Sequence, residues 1–510
     1  MMIMMIFAGV VAMCGSVIDG VIIGNCLSTD SMTAFGYASP VFIFLAAIGG
    51  VLSNGGKAQC AILTGKGLYE EARENFSRIF LLTVILGIGI TFLCLAAAKP
   101  VAVLFGASGA YIPLTVEYIR GLAIGTIPII MMQVMTGYLG LDGGEIYGFY
   151  GAVIMSAVNI FFDLMVGIIW HGGLFEMALA TSVSYLAALL VQFLYFRRKN
   201  RLFRFVRFKL QPEKSLSLIM AGLPSAVSRI CCCSTIVILN HLLTSCAGEM
   251  AVSACSVRNT IGNFADAIFM GVVGTISIFS GMFYGERNKN ALRSTFRTAC
   301  KYAMFLAVGC GGVIFLFAPM LANGILKADQ TTLSATAACL RFYAISLPGI
   351  LPLPVMYLFL KKYKSKNKWD MWAATDPDLE TEIIGSYEVS VSDNMDMVME
   401  TTRQLREFCN AHQLGTGKSF RICLAVEEIA GNIVEHGFTG KKGKHFIDLR
   451  LTLEKDGRGC LSLRDNGVKF NPLEYRNKDT QYGLAIIRGI SEKIDYHYVA
   501  SMNCLNVIIR

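Results

Sequence analysis

The chain has 510 residues, of which 54% are hydrophobic and 16% are charged, and its formal net charge is +9. Soluble domains contain about 25% charged residues, so this composition excludes a chain that is soluble throughout. Residues 1–368 hold 28 Lys and Arg against 15 Asp and Glu, whereas residues 369–510 hold 17 against 21. These counts predict a basic membrane part followed by an acidic soluble part. The acidic part has no basic patch interleaved with aromatics, which argues against nucleic acid as a partner.

Ten apolar runs in the first part are long enough to cross a membrane. They lie near 1–24, 34–62, 77–98, 112–140, 147–170, 174–196, 215–244, 260–283, 298–322 and 335–360. The sequence therefore predicts an all-α polytopic bundle of about ten transmembrane helices, with the lipid membrane as its surroundings.

Basic residues concentrate in every second loop of this bundle. The loops at 65–78, 197–214 and 284–297 are rich in Lys and Arg, whereas 25–33 and 170–173 contain neither. Short loops with many Lys and Arg remain on the cytoplasmic side. We therefore expect a multi-pass protein of a bacterial inner (plasma) membrane, with its C-terminal part in the cytoplasm.

An internal repeat relates two halves of the membrane part. Residues at a constant offset of 220 match in three places: Phe76 with Phe296, Gly65 with Gly285, and Pro128 with Pro348. The repeat predicts a first lobe of six helices at 1–200 and a second, shortened lobe of four helices at 201–368. Two similar halves suit the alternating access of a transporter.

Few ionisable residues lie inside the apolar runs. Asp19 lies in SVIDGVIIG, Asp163 follows Asn159 by one helical turn, and Thr181 lies in the next run. A carboxylate within a membrane costs about 2.5–3.5 kcal/mol on insertion scales, which favours a functional role. Two acids with an amide and a hydroxyl can bind a proton or Na⁺. From the spacing alone, solvated carboxylates near helix ends are an equal alternative.

The segments SVIDGVIIG, GKGLYEEAR, NIFFDLMVG, EMALATSVSYL and AGLPSAVSR resemble motifs of the multidrug and toxic compound extrusion (MATE) family over about 1–360. This resemblance implies a cation-coupled secondary antiporter that exports small organic cations. It also implies that Asp19, Asn159, Asp163 and Thr181 form the H⁺ or Na⁺ site. Residues 335–360 are the last apolar run, so two helices of the family's second lobe have no counterpart before the soluble part.

The soluble part reads as a linker at 369–384 and an α/β two-layer sandwich at 385–510. Strands are predicted at 382–391, 446–454, 460–465, 495–500 and 503–510. Helices are predicted up to 411 with Asp393 as their cap, at about 418–437, and at 483–493. GTGKS at 415–419 is interpreted as a helix–helix turn, because a helix and not a strand precedes it.

Residues with the chemistry of a nucleotide site recur along this part. Glu428, Asn432 and His436 are spaced by four residues and would share one helix face. Alone, such a stripe is more often a solvated polar face. It is followed, however, by Asp465 and Gly467 at the end of a strand, and by a glycine-containing helix start, QYGLAIIRG, with Gly483.

Together these motifs resemble the histidine-kinase-like ATPase superfamily, and most closely its anti-sigma-factor serine kinases, over about 385–510. The resemblance implies ATP and Mg²⁺ as cofactors, with Glu428 as the activating, catalytic carboxylate and Asn432 as the metal ligand. The residues that it implies for nucleotide binding are Asn432, His436, Asp465, Gly467 and Gly483. Two features depart from the pattern: one glycine in QYGLAIIRG, and none before Asn503.

Three functions remain open from the sequence. The first is a cation-coupled exporter with a regulatory ATP-binding domain. The second is a membrane-tethered protein serine/threonine kinase that binds an anti-anti-sigma-like regulatory protein and uses the shortened transporter as sensor or anchor. The third is a fusion in which neither part is active.

Overall fold

The computed structural model describes residues 1–27, 29–105, 107, 109–198, 201–209, 211–286, 288–325, 330–346, 383–438, 444–455, 457–469, 471 and 481–509. Side chains are described for these residues except 16–17, 20–21, 24–26, 29, 32–33, 228–229, 232–253, 256, 324–325, 383 and 481–484. The chain divides into two compact units, Met1–Ala373 and Ala374–Arg510. Most of the predicted linker at 369–384 lies outside the described residues.

The described part of the first unit is helical. Its helices are α1 (Met2–Cys26), α2 (Thr29–Gly65), α3 (Tyr69–Ala96), α4 (Ala98–Leu104), α5 (Tyr111–Ile124), α6 (Thr126–Leu141), α7 (Glu145–Leu164), α8 (Leu174–Tyr195), α9 (Pro212–Gly285), α10 (Lys289–Ile325) and α11 (Gln330–Ser346). Within the described residues, six helices are long and apolar enough to cross a membrane, and the α5–α6 pair supplies a seventh span. The predicted helical membrane bundle is confirmed. The predicted spans at 1–24, 215–244 and 335–360 include residues whose side chains lie outside the described set.

Two predicted spans are locally irregular. The span predicted at 112–140 is bent by 51° between α5 and α6. Gly125 occupies this bend, and a Cβ there would collide with Ser182 of α8, so glycine permits the close approach of the two helices. At the end of α7 the chain continues as a π-helical turn, Met165–Trp170.

Helix α9 joins two spans that the sequence separates. Its backbone is helical over 74 residues, which would measure about 110 Å if the helix were straight. Gly222 nevertheless contacts Val51 of α2, and Gly281 contacts Ala61 of the same helix. Those α2 residues are about 15 Å apart. The helix must therefore reverse direction between its two ends. This reversal agrees with the two separate spans predicted at 215–244 and 260–283, and Val257–Gly285 is a membrane-length apolar helix of its own.

Hydrogen bonds with polar side chains hold the segment after α8 against the first lobe. The carboxylate of Asp142 is 1% exposed and accepts hydrogen bonds from the backbone N–H groups of Leu202 and Phe203, at 2.8 and 3.1 Å. Arg73 donates to the Leu202 carbonyl, and Arg78 donates to the Lys209 carbonyl. The basic loop predicted at 197–214 is thus ordered over 201–209.

The second unit is a five-stranded antiparallel sheet in the order β1-β2-β3-β5-β4. Its strands are β1 (Ile383–Ser392), β2 (Phe446–Glu454), β3 (Gly459–Asp465), β4 (Ser491–Val499) and β5 (Met502–Ile509). The helices α12 (Met395–Ala411), α13 (Thr416–Asn432) and α14 (Gln481–Ile490) form the other layer. Ile429, Leu451 and Val507 belong to the core between them. The predicted α/β sandwich is confirmed.

Three details of the prediction for this unit are wrong. Asn394, and not Asp393, caps α12, because its side chain accepts a hydrogen bond from the Asp396 N–H at 2.8 Å. The predicted helix at 483–493 ends at Ile490, since the following residues pair with β5. The turn predicted at 415–419 lies earlier, at 412–415: Gly415 is the N-cap of α13, whose first turn holds 416–419. A helix, α12, precedes this turn as predicted.

Candidate functional sites

The two predicted intramembrane acids are brought together between α1 and α7. The side-chain amide of Asn159 donates to Asp19 Oδ1 at 2.7 Å and to Asp163 Oδ2 at 2.6 Å. Asp163 is 1% exposed and Asn159 is 5% exposed, while Asp19 is half-buried. The alternative of a solvated carboxylate at a helix end therefore does not hold for Asp163.

A serine completes the environment of the amide. Ser184 Oγ lies 3.1 Å from Asn159 Oδ1 and 2.7 Å from the Thr181 carbonyl, so its single proton is shared between two acceptors. The Thr181 hydroxyl itself donates to the Met177 carbonyl at 3.3 Å. Thr181 therefore reaches this site through its backbone and through Ser184. The sequence analysis missed Ser184, although it lies one turn after Thr181 on the same helix.

This site has more acceptors than donors. Both amide protons of Asn159 are used, and the one further side-chain partner of each acid among the described residues is the other acid: Asp19 and Asp163 are in hydrogen-bonding contact. Asp163 Oδ1 is buried and has no hydrogen-bond partner among the side chains that the structure describes. Two neighbouring carboxylates repel each other when both are ionised. A proton or a small cation between them would relieve this repulsion and satisfy the remaining oxygen.

In the second unit, Glu428 and Asn432 lie near the end of α13 and are half-buried. The helix then widens into a π-helical turn, Ile433–Gly437. This turn takes more residues than an α-helical turn, so His436 departs from the face that a spacing of four predicts. His436 Nε2 lies 3.8 Å from the neighbouring Glu435.

Asp465 is the last residue of β3, and hydrogen bonds hold its side chain in one orientation. The residue is 3% exposed, and its Oδ1 accepts hydrogen bonds from the Gly467 N–H and from Asn503 Nδ2, both at 2.8 Å. Asn503 Nδ2 also donates to the Val468 carbonyl at 2.8 Å. The Tyr496 hydroxyl donates to Asn503 Oδ1 at 2.6 Å, which fixes the orientation of this amide.

The loop after β3 contacts the turn that follows the helix carrying Glu428 and Asn432. The Val468 N–H donates to the Gly437 carbonyl at 2.8 Å. Gly467 packs against the same carbonyl so closely that a Cβ would collide with it. The structure thus brings Asp465 and Gly467 to the end of α13.

Gly483 lies in the first turn of α14, which contacts α13. The segment 472–480 that precedes this helix is outside the described residues. Asn503 and Tyr496 were not predicted from the sequence as residues of this site. The β3–β5 register, which places Asn503 opposite Asp465, is the signal that could have found the first of them.

A bundle of apolar helices with acids buried between them is typical of a membrane transporter. The α/β layer that follows it has the architecture of an ATPase-like domain.

The chain belongs to the MatE family, whose family model matches residues 5–165 and 224–368. A second family model, the histidine kinase-like ATPase domain, matches residues 391–509. The protein is therefore a membrane-embedded MATE transporter with a C-terminal domain of the histidine kinase-like ATPase type.

Relatives with a curated name support this assignment. The chain is 23% identical over 338 residues to the multidrug export protein MepA of Staphylococcus haemolyticus, covering 62% of this chain and 74% of that protein. MepA of Staphylococcus aureus strain NCTC 8325 is 22% identical over 340 residues, covering 65% of this chain and 74% of the relative. A solved multidrug resistance MATE family transporter of the MOP superfamily, in an outward-facing conformation, matches with a TM-score of 0.64 and 25% identity. That match covers 68% of this chain and 77% of the solved one.

Proposed function

We propose that the membrane unit is a cation-coupled secondary antiporter that exports small organic cations. The observation that carries this proposal is the shortage of hydrogen-bond donors at Asp19, Asn159 and Asp163. One amide donates to two carboxylates, and Asp163 Oδ1 has no partner among the described residues. A site of this kind takes up a proton or Na⁺ from one side and gives it up on the other. The relatives named as multidrug export proteins suggest the class of substrate.

The orientation of Asn159 favours a proton as the coupling ion. Its NH₂ group faces both carboxylates, and its Oδ1 faces Ser184. A proton can be held by either carboxyl group without rotating the amide. Na⁺ would need oxygen ligands, so the amide would have to turn its Oδ1 towards the acids.

The test is dye uptake into liposomes that contain the full-length protein and carry an imposed pH gradient or Na⁺ gradient. We expect gradient-driven uptake of a fluorescent organic cation by the wild type, and its loss in Asp19→Asn and in Asp163→Asn. Glu213→Gln is the control, because Glu213 is an exposed acid in the first turn of α9. Full transport by both single variants would return the two acids to a structural role.

For the orientation of the protein, we propose a multi-pass protein of a bacterial inner membrane with the 197–214 loop and the C-terminal unit in the cytoplasm. The support is the alternation of Lys- and Arg-rich loops with loops that lack these residues. A reporter fused after residue 510 that is active only outside the cytoplasm should be silent. Strong activity of this reporter would contradict the orientation.

We also propose that the second unit binds ATP with Mg²⁺ and regulates transport. The placement of Asp465 supports the nucleotide: it is buried, held by Gly467 and Asn503, and its loop is hydrogen-bonded to Gly437, just after the helix that carries Asn432. Asp465 and Gly467 would hold the adenine, and Asn432 would provide an oxygen for Mg²⁺ beside the phosphates. His436 and Gly483 would line the same site.

Within this site, Glu428 would accept a proton from an attacking hydroxyl or water. We expect calorimetry to detect Mg²⁺-dependent ATP binding by the full-length protein, which is lost on Asp465→Asn. Exposed Asn410→Asp provides a control outside the site. Absence of ATP and ADP binding at millimolar concentration would leave the domain as a docking surface only.

A second candidate is a membrane-tethered serine/threonine kinase that acts on an anti-anti-sigma-like protein. The observation that favours it is the match of 391–509 to the histidine kinase-like ATPase domain. The same ATP-binding measurement, followed by transfer of labelled phosphate to a co-purified protein, separates this candidate from the regulatory one. Transfer that disappears in Glu428→Gln while ATP binding persists would favour the kinase.

A further inference from the structure

Lys57 is the one lysine among the described residues that is buried, at 6% exposure, and it lies inside the apolar span of α2. It is eight residues before the end of that helix at Gly65. A lysine at such a position costs about 2.5–3.5 kcal/mol on insertion scales. Neither the carboxylate pair nor the nucleotide-like domain makes use of it.

The surroundings of Lys57 place it between the two lobes. On one side its side chain packs against Gly137 of α6, where an added Cβ would lie 3.6 Å from Lys57 Cδ. One turn before it, Ser53 Oγ donates to the Gln133 carbonyl of α6 at 3.1 Å. One turn after it, Ala61 contacts Gly281 in the second-lobe part of α9.

A comparison with Arg78 shows what is unusual about Lys57. Arg78 is 1% exposed, but it donates to Asn75 Oδ1 at 2.8 Å and to the Lys209 carbonyl, and it lies over the Phe208 ring at 5.1 Å. Lys57 forms no hydrogen bond and no ion pair within the part of the chain that the structure describes. A buried lysine without a protein partner is stable only if it loses its proton or if an anion binds it.

We propose that Lys57 binds the anionic group, a carboxylate or a phosphate, of a solute that passes between the two lobes. This goes beyond the export of organic cations, because it assigns the preferred substrates to amphoteric molecules that carry both charges. Lys57 is 6% exposed and packs against α6 within the first unit, which favours a small solute over a lipid headgroup. The Ser53 hydroxyl is the neighbouring polar group, since it and the Lys57 side chain both lie against Gly137 of α6.

The test compares two forms of one dye, a rhodamine with a free carboxylic acid and its methyl ester. Both carry the same delocalised cation, so they differ only in the anionic group. Full-length wild type, Lys57→Met and Lys57→Arg are reconstituted in neutral lipid, and uptake of each dye is measured. Binding of each dye to the protein in detergent, followed by fluorescence anisotropy, gives the same comparison without transport.

We expect Lys57→Met to weaken uptake and binding of the acid by about tenfold, and to change those of the ester by less than about twofold. Lys57→Arg should keep most of the preference for the acid. Lys301→Met is the control, since Lys301 is exposed on α10. Lys57→Gln provides a second neutral variant if the methionine variant does not elute as a folded protein.

Equal effects on acid and ester, or a wild type that does not distinguish them in binding, would overturn the proposal. Dependence of the acid preference on added phosphatidylglycerol would also overturn it, because Lys57 would then serve a lipid. The outcome is separable from that of cation coupling: gradient-driven uptake of the ester tests the antiporter, whereas the difference between acid and ester tests Lys57.

Discussion

The membrane unit and the C-terminal unit each bury a carboxylate in contact with an asparagine, and the two arrangements differ in their supply of hydrogen-bond donors. Asn159 divides its amide protons between Asp19 and Asp163, and Asp163 Oδ1 has no partner among the described residues. Asp465 Oδ1 receives two donors, from Gly467 and Asn503. The first site is therefore suited to exchange an ion during a cycle. The second is a rigid group that keeps its position.

Removing the Asn159 amide, which donates to both acids of the membrane unit, should cause the largest loss of function. Asn159→Leu removes the amide that bonds both carboxylates, so the two acids are no longer held in the arrangement in which they share one proton. We expect gradient-driven dye uptake to fall by about 100-fold, or about 2.7 kcal/mol. Gln192→Leu removes another buried amide, which bonds Thr136, and should transport nearly as well as the wild type.

In the C-terminal unit, a substitution beside Asp465 should lower the free energy of unfolding. Gly467→Ala places a Cβ against the Gly437 carbonyl and against Asp465 Oδ1. We expect a loss of about 1–3 kcal/mol in the free energy of unfolding, since the contact is with backbone that cannot easily move. Urea denaturation of residues 374–510 measures it. Gly417→Ala, where a Cβ meets open space, should be neutral or slightly stabilising, and an equal loss there would contradict the account.

Asn503→Leu should also destabilise this unit, by about 1–2 kcal/mol. The variant keeps the size of the side chain but removes one donor to Asp465 and the donor to the Val468 carbonyl. The same denaturation measurement applies, with the exposed residue change Asn410→Leu as control. A stability equal to that of the wild type would mean that Asp465 is held by Gly467 alone.

The smallest effect is expected at Ser184, which contacts the amide oxygen of Asn159 and neither acid directly. Ser184→Ala should slow dye uptake by about threefold to tenfold, which corresponds to the loss of one neutral hydrogen bond. Ser182→Ala is the control, because its hydroxyl bonds the Gly121 and Ala178 carbonyls and is remote from Asn159. If both variants behave alike, Ser184 has no role in orienting the amide.

The sequence predicted the features that depend on local pattern. Apolar runs, the alternation of charged loops and the order of strands and helices led to both parts of the fold. The spacing of Asn159 and Asp163 placed these two residues on one helix face. The same kind of reasoning placed Asp465 and Gly467 at the end of a strand, where the structure has them.

Features that depend on packing were missed. The bend at Gly125 arises from close contact with α8, and the extension of β4 to Ser491 arises from pairing with β5. Ser184 and Asn503 acquire their roles only when two segments meet across the fold. Lys57 was overlooked because a single lysine does not interrupt an apolar run, and its lack of a partner becomes visible only in three dimensions.

The central claim is that Asp19, Asn159 and Asp163 exchange a proton for the exported cation. Proton release on binding tests it most directly: a cationic dye is added to the full-length protein in weakly buffered detergent solution, and the pH is followed with an indicator. We predict release of about one proton for each dye bound by the wild type, and none by Asp163→Asn at dye concentrations that saturate it. Dye binding by the wild type without proton release, or equal release from the variant, would contradict the account.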